Sequence, residues 1–167
     1  AYDSNGNMTT IPPPGRPAHT FTYSSTNLPE THALPDAGSG TATETRTFDR
    51  DRRLTSLRRA DGEQLALIYD PTDQLTSIVE PDGEELSFVY DGQLPVELAW
   101  TGTVSGSVSW TFDSDFRPSS TSVNGSNPIA FAYDADSLLT AAGELTIGRD
   151  LATGREFTTT LGDVTTT

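Results

Sequence analysis

Leu65-Ala-Leu-Ile-Tyr69-Asp70-Pro71-Thr72-Asp73-Gln74-Leu75-Thr76-Ser77-Ile78-Val79-Glu80-Pro81-Asp82-Gly83 reads as strand, turn, strand, turn. The two apolar runs are short, alternating and rich in β-branched or aromatic residues, and Asp-Gly tolerates the positive φ that a hairpin turn demands. The same phrase recurs along the chain. Tyr2, Tyr23, Phe48, Tyr69, Tyr90, Phe112 and Tyr133 follow one another at intervals of 21, 25, 21, 21, 22 and 21 residues. Asp follows the aromatic at Asp3, Asp49, Asp70, Asp91, Asp113 and Asp134, and Met8, Leu54, Leu75 and Leu139, each followed by Thr, stand six residues beyond it. The long interval coincides with a Gly/Thr/Ala-rich stretch, read as an insertion.

Each period therefore supplies two strands and two turns. Leu86–Tyr90, Val108–Phe112 and Ile129–Tyr133 repeat the first strand, Val96–Trp100 supplies a returning one, and Asn124-Gly125 supplies another turn. No stretch sustains the 3.6-residue apolar spacing of a helix. The expected fold is all-β: tandem hairpins of about 21 residues in one extended, curled antiparallel sheet, each unit stabilised by its neighbours. The array is expected over residues 1–147, with a Pro/Gly/Thr-rich irregular insertion around 29–45. Residues 148–167 are expected to form a degenerate or truncated terminal repeat.

Composition agrees with a thin core. Apolar residues make up 34% of the 167, and 24 acidic against 10 basic side chains give a charge of −14. A compact chain of this mass would expose roughly 8,000 Å². The acidic surface argues against nucleic acid and anionic membranes as partners. No apolar run reaches the roughly 20 residues that span a bilayer as a helix, so membrane insertion is not expected. Cysteine is absent, which excludes disulfides, thiolate metal sites and a thiol nucleophile, and the absence of lysine excludes a phosphate loop of the Walker type.

Tyr2-Asp3-Ser4-Asn5-Gly6-Asn7-Met8-Thr9 resembles the defining motif of Rhs/YD-repeat proteins. Tyr69-Asp70-Pro71-Thr72-Asp73-Gln74-Leu75-Thr76 followed by Pro81-Asp82-Gly83 resembles almost the whole unit, with Asp73 where glycine is usual. The resemblance implies long β-sheets that spiral into hollow shells, as in bacterial Rhs proteins, tripartite toxin-complex subunits, wall-associated proteins and teneurins. It also implies an extracellular or cell-surface location. In the toxin branch the shell ends in an aspartyl-protease-like region with Asp-Pro-x-Gly motifs; no such motif occurs here, so autoproteolysis is not assigned to this segment.

The candidate sites divide into architecture and binding. The aromatic series is read as the packed core of the repeat, and the Asp series as caps that bond their own turn backbone. On that reading Tyr69→Ala and Tyr90→Ala each cost roughly 3–5 kcal/mol. Asp49-x-Asp51, Asp113-x-Asp115 and Asp134-x-Asp136 are spaced like calcium-loop ligands but lack a loop-closing Glu, so no metal site is assigned and calcium is the one cofactor considered. Arg46, Arg50, Arg52, Arg53, Arg58 and Arg59 are interleaved with Asp49, Asp51 and Asp61, a pattern of cross-strand ion pairs. His19 and His32, the only histidines, sit in the Pro-rich part with no nucleophile motif nearby, and no catalytic residue is assigned. Trp100, Trp110 and Phe116 are candidate glycan platforms where they face solvent. The function expected is a non-enzymatic scaffold, a segment of a large secreted or cell-surface repeat protein enclosing an effector or displaying a binding surface. The alternatives are a filament built by strand-edge pairing and a glycan-binding module. The expected partners are neighbouring repeats, further copies through strand edges, an enclosed effector or a surface glycan.

Overall fold

The computed structural model describes residues 1–36 and 42–167, and every regular element in them is a strand. Among the described residues there are sixteen strands, in antiparallel sheet whose strand order is the chain order. The chain divides into two units, Ala1–Ser87 and Phe88–Thr167. The first holds β1 (Thr10–Ile11), β2 (His19–Tyr23), β3 (Pro29–Ala33), β4 (Thr43–Phe48), β5 (Leu54–Arg58), β6 (Gln64–Tyr69), β7 (Leu75–Val79) and the opening of β8 (Glu85–Asp91). The second holds the rest of β8, then β9 (Leu94–Trp100), β10 (Gly106–Phe112), β11 (Pro118–Val123), β12 (Ser126–Tyr133), β13 (Leu139–Ala142), β14 (Leu145–Arg149), β15 (Glu156–Leu161) and β16 (Val164–Thr166).

One loop design recurs, and its chemistry is legible at Asp70. The backbone N–H groups of Thr72 and Gln74 donate to Asp70 Oδ1 at 2.7 and 3.0 Å. The Asp70 N–H reaches the Gln74 carbonyl at 2.9 Å, and the Asp73 N–H donates back to the Asp70 carbonyl at 3.2 Å. This is a three-residue hairpin, a type I turn closed by a left-handed residue. That residue is Gly6 in the first copy, at φ 83°, and Asn27, Arg52, Asp73, Phe116 and Ser137 in later ones, at φ between 61° and 70°. The glycine of the motif is thus the residue whose backbone must be left-handed, and non-glycine residues held there carry strain. The Gly62 and Gly83 loops close with the same bonds, Gly62 N–H to the Arg59 carbonyl and Gly83 N–H to that of Glu80, each 3.0 Å.

Beside the loops that follow Tyr23, Phe48, Tyr69, Phe112 and Tyr133 the ladder slips by one residue, whereas beside the Gly62 and Gly83 loops it stays in register. Ile68 faces Ser77 and Tyr69 faces Leu75, which leaves Thr76 without an opposite number. Thr47, Phe48, Ser56 and Leu54 repeat the slip around Thr55, and Ala132, Tyr133, Ala141 and Leu139 around Thr140. A bulge breaks the regular exchange of ladder bonds. The threonine hydroxyl compensates: Thr76 Oγ1 donates to the Ile68 carbonyl and Thr55 Oγ1 to that of Thr47, both at 3.2 Å. The aromatic of the next repeat seals the same place. Tyr69 Oη donates to the Leu54 carbonyl at 3.0 Å, Tyr23 Oη to Met8 at 2.9 Å and Tyr133 Oη to Pro118 at 2.9 Å.

Burial departs from the expected packed core. No apolar side chain is buried among the described residues; Ser77, at 5% exposure, is the buried one, and its hydroxyl bonds the Glu85 carboxylate. Tyr2 is 71% exposed, while Tyr23, Phe48, Tyr69, Tyr90, Phe112 and Tyr133 are half-buried. Tyr23, Tyr69 and Tyr133 are held through their hydroxyls, and a half-buried ring is expected to cost less on deletion than a fully buried one.

Three stretches differ locally from the repeated loop design. The stretch 29–45 contains β3 and the start of β4, paired through Thr31 with Thr45 and Ala33 with Thr43, so its ends are regular; residues 37–41 lie outside those described. Asp91 ends β8 and is followed by a tight turn at Gly92, φ 60°, in place of the Asx-capped loop. Within residues 148–167, Glu156–Leu161 and Val164–Thr166 form strands, and the Asp150 loop is longer by one residue, with Asp150 N–H bonded to the Arg155 carbonyl at 2.9 Å.

Tyr69→Phe removes one bond to a half-buried carbonyl and should cost about 1 kcal/mol by urea denaturation, well below a core-aromatic deletion. Phe116→Gly should stabilise by up to about 1 kcal/mol, because Phe116 is left-handed and relief of that strain outweighs the added freedom of the unfolded chain. An unchanged or lowered melting temperature would show that Phe116 contributes contacts worth more than its strain.

Candidate functional site

The polar side chains of the repeat converge on the hairpin loops. Arg53 Nε donates to Asp49 Oδ2 at 2.7 Å and its Nη2 lies 3.8 Å from Asp51, while Nη1 bonds the Asp73 carboxylate of the following loop. Its guanidinium also lies over the Tyr69 ring, 4.8 Å from the centroid. In the second unit Arg117 pairs with Asp113 at 2.8 Å and Asp115 at 3.3 Å, lies 4.7 Å over Tyr133, and donates to Ser137 Oγ at 3.0 Å. In the first copy Asn7 takes the same place, bonding Asp3 Oδ2 at 3.0 Å and Asn27 Oδ1 at 2.9 Å.

The acceptors Asn27, Asp73 and Ser137 are the left-handed residues of their loops. Asp73, which stands where the motif has glycine, exchanges backbone freedom for a side chain that receives the preceding repeat's arginine. Sequence reading assigned Asp to turn capping and arginine to cross-strand pairing. The loop-to-loop step of 20 residues between Asn7 and Asn27, Arg53 and Asp73, or Arg117 and Ser137 was a signal in the repeat register, visible once side chains are set in phase.

These contacts set the protonation of the loop carboxylates. The Arg53 N–H holds the Asp49 carboxyl below the ordinary aspartate value, helped by the Arg53 guanidinium. The Arg117 N–H does the same for Asp113, the Gln74 N–H for Asp70, the Asn7 amide for Asp3 and the Thr153 hydroxyl for Asp150. All of these bonds favour the charged form.

The binding candidates fall in separate places. Trp110, Pro118, Thr121, Phe131, Tyr133 and Leu139 line an apolar groove of about 290 Å³ in the second unit. Trp100 is not part of that lining; it faces Gly106 across the ladder, and a Cβ on Gly106 would lie 2.5 Å from its ring, so glycine is what admits the indole. Phe116 is on a loop and 73% exposed. The three candidate glycan platforms therefore do not form one lined groove. Among the described residues no cluster of three or more His, Asp or Glu side chains is arranged around a common metal position.

The two histidines of the Pro-rich part meet. His19 Nδ1 lies 2.9 Å from His32 Nε2, Phe21 stacks on His32 at 4.5 Å and 11°, and Glu44 Oε2 lies 3.5 Å from His32 Nδ1. Arg46 closes the row at 3.4 Å from the same Glu44 oxygen. Their spacing of 13 residues carries no motif; the pairing of β2 with β3 and of β3 with β4 brings them together.

No family model matches this chain, and no curated protein matches it. Among solved structures it is similar to TcdB2-TccC3 without the hypervariable C-terminal region, at TM-score 0.47 and 13% identity over 84% of this chain and 10% of that one. It is similar to TcdB2-TccC3-TEV at TM-score 0.46 and 9% identity over 95% and 11%. A porin-like protein from Bacteroides uniformis aligns at TM-score 0.35 and 13% identity, over 89% of each chain. The chain spans about a tenth of the TcdB2-TccC3 chains it matches. Likenesses this remote assign no function.

A carboxylate whose folded pKa lies below its unfolded value stabilises the fold above the unfolded value, and that contribution is lost as pH falls through the folded one. The melting temperature should therefore be insensitive to these aspartates down to about pH 5 and fall steeply below about pH 4. Circular dichroism melts of the native chain and of Asp113→Asn, in which the acid-side fall should be shallower, check this.

Proposed function

We propose that this chain is a non-enzymatic structural scaffold, a segment of a secreted or cell-surface Rhs/YD-repeat protein that encloses an effector or displays a binding surface. The observation that carries the reading is the repeated hairpin loop, in which Asp, Arg and Tyr bond their own loop and the next one. Asp49, Asp73, Arg53 and Tyr69 hold successive hairpins in register. The half-buried aromatics support it further, since an apolar face of this kind gains stability when covered by another body. The Tyr2–Thr9 and Tyr69–Thr76 motifs give the family resemblance behind the enclosure and the extracellular location.

A second reading, glycan binding, is favoured by the Trp110–Phe131–Tyr133 groove, because aromatic faces in an open apolar cleft suit the C–H faces of a sugar. Tryptophan fluorescence that stays unaltered across a broad glycan panel would remove it.

Light scattering on a size-exclusion column, with electron microscopy of the largest fraction of the native polypeptide, tests the scaffold reading. Monomeric particles are the expected result. Regular filaments whose length grows with concentration would overturn enclosure and make strand-edge assembly the function.

A further inference from the structure

We propose that His19 and His32 form a binding site for a zinc(II)-class divalent cation that staples β2 to β3 in the first unit. Two imidazole nitrogens, His19 Nδ1 and His32 Nε2, face each other at 2.9 Å. Two nitrogens bound to one tetrahedral zinc at about 2.05 Å stand about 3.3 Å apart, so His19, on the open cleft, swings back from the present head-on contact to let both lone pairs meet the cation. When the cation enters, His19 carries its one proton on Nε2 and binds through Nδ1, so both rings ligate as neutral imidazoles.

His32 is preorganised for that role. Phe21 stacks on one face of the ring, and Glu44 stands behind Nδ1, so the proton of a neutral His32 is drawn to Nδ1 and the Nε2 lone pair points at His19. A carboxylate behind a ligating histidine orients it and raises its basicity. Glu44 is itself held by Arg46. The His32 side chain is 20% exposed, whereas His19 lines an open cleft of about 540 Å³ with Pro13, Arg16, Pro17, Pro35 and Asp36. The cation therefore has an entry path and room for water.

No third His, Asp or Glu joins the two rings among the described residues, so water completes the coordination sphere. That limits affinity and also selects the cation: paired imidazoles suit zinc and copper, while calcium requires many oxygen ligands. Arg16 and Asp36 carry opposite charges at the cleft, so the selection rests with the two rings.

The test is a titration of the native chain with zinc chloride, read by the imidazole resonances in NMR and by calorimetry, with calcium chloride as the control. The expected result is one site per chain, both histidine ring signals shifting together, a melting temperature that rises with zinc, and no ring shift with calcium. His19→Gln and His32→Gln, each checked for native circular dichroism, should abolish the stoichiometric site, and Glu44→Gln should weaken it roughly tenfold. Zinc binding of undiminished affinity in both histidine variants would overturn the proposal by placing the metal on the acidic loops, as would ring resonances that stay fixed while zinc is added in excess.

Discussion

The aspartate that accepts two backbone N–H bonds inside a three-residue hairpin loop is the constraint on which the rest depends. It fixes a tight, one-residue slip between the strands it joins, and the slip makes the bulge. The bulge breaks the ladder beside the aromatic, where the Thr76 or Thr55 hydroxyl takes up a carbonyl. The tyrosine of the following repeat then donates to the carbonyl beside the previous bulge, so one local turn dictates a contact between repeats.

The loops are also where charge is managed. A chain of −14 would repel itself if its acidic groups were distributed at random. Here the carboxylates at Asp49 and Asp113 are surrounded by N–H donors and a guanidinium, and Arg53 and Arg117 each serve their own loop, the next loop and a tyrosine ring. Exposed ion pairs contribute little singly, and here their geometry fixes register more than it adds energy.

Much of this was legible in sequence. The period of the aromatic series, the strand and turn alternation and the capping role of Asp follow from local rules, because hairpin chemistry acts within a few residues. The role of the threonine after Leu75 was visible as a pattern but not as a function, since a bulge residue is defined only against its partner strand. Asp73 looked like a departure from the motif; the acceptor role that accounts for it needs the neighbouring loop in place. The expectation of a packed aromatic core failed for a related reason: spacing shows which side chains share a face, but not whether anything covers that face.

Sequence by itself determined the all-β class, the hairpin unit, its repeat length and most of its capping residues, because each is a property of a short segment and its backbone preferences. The tertiary structure decided which side chains of different hairpins touch. The Arg53 reach to Asp73, the half-burial of Tyr69 and the meeting of His19 with His32 and Glu44 depend on strand register across separate segments. The local pattern leaves those distances open, and only the paired sheet closes them.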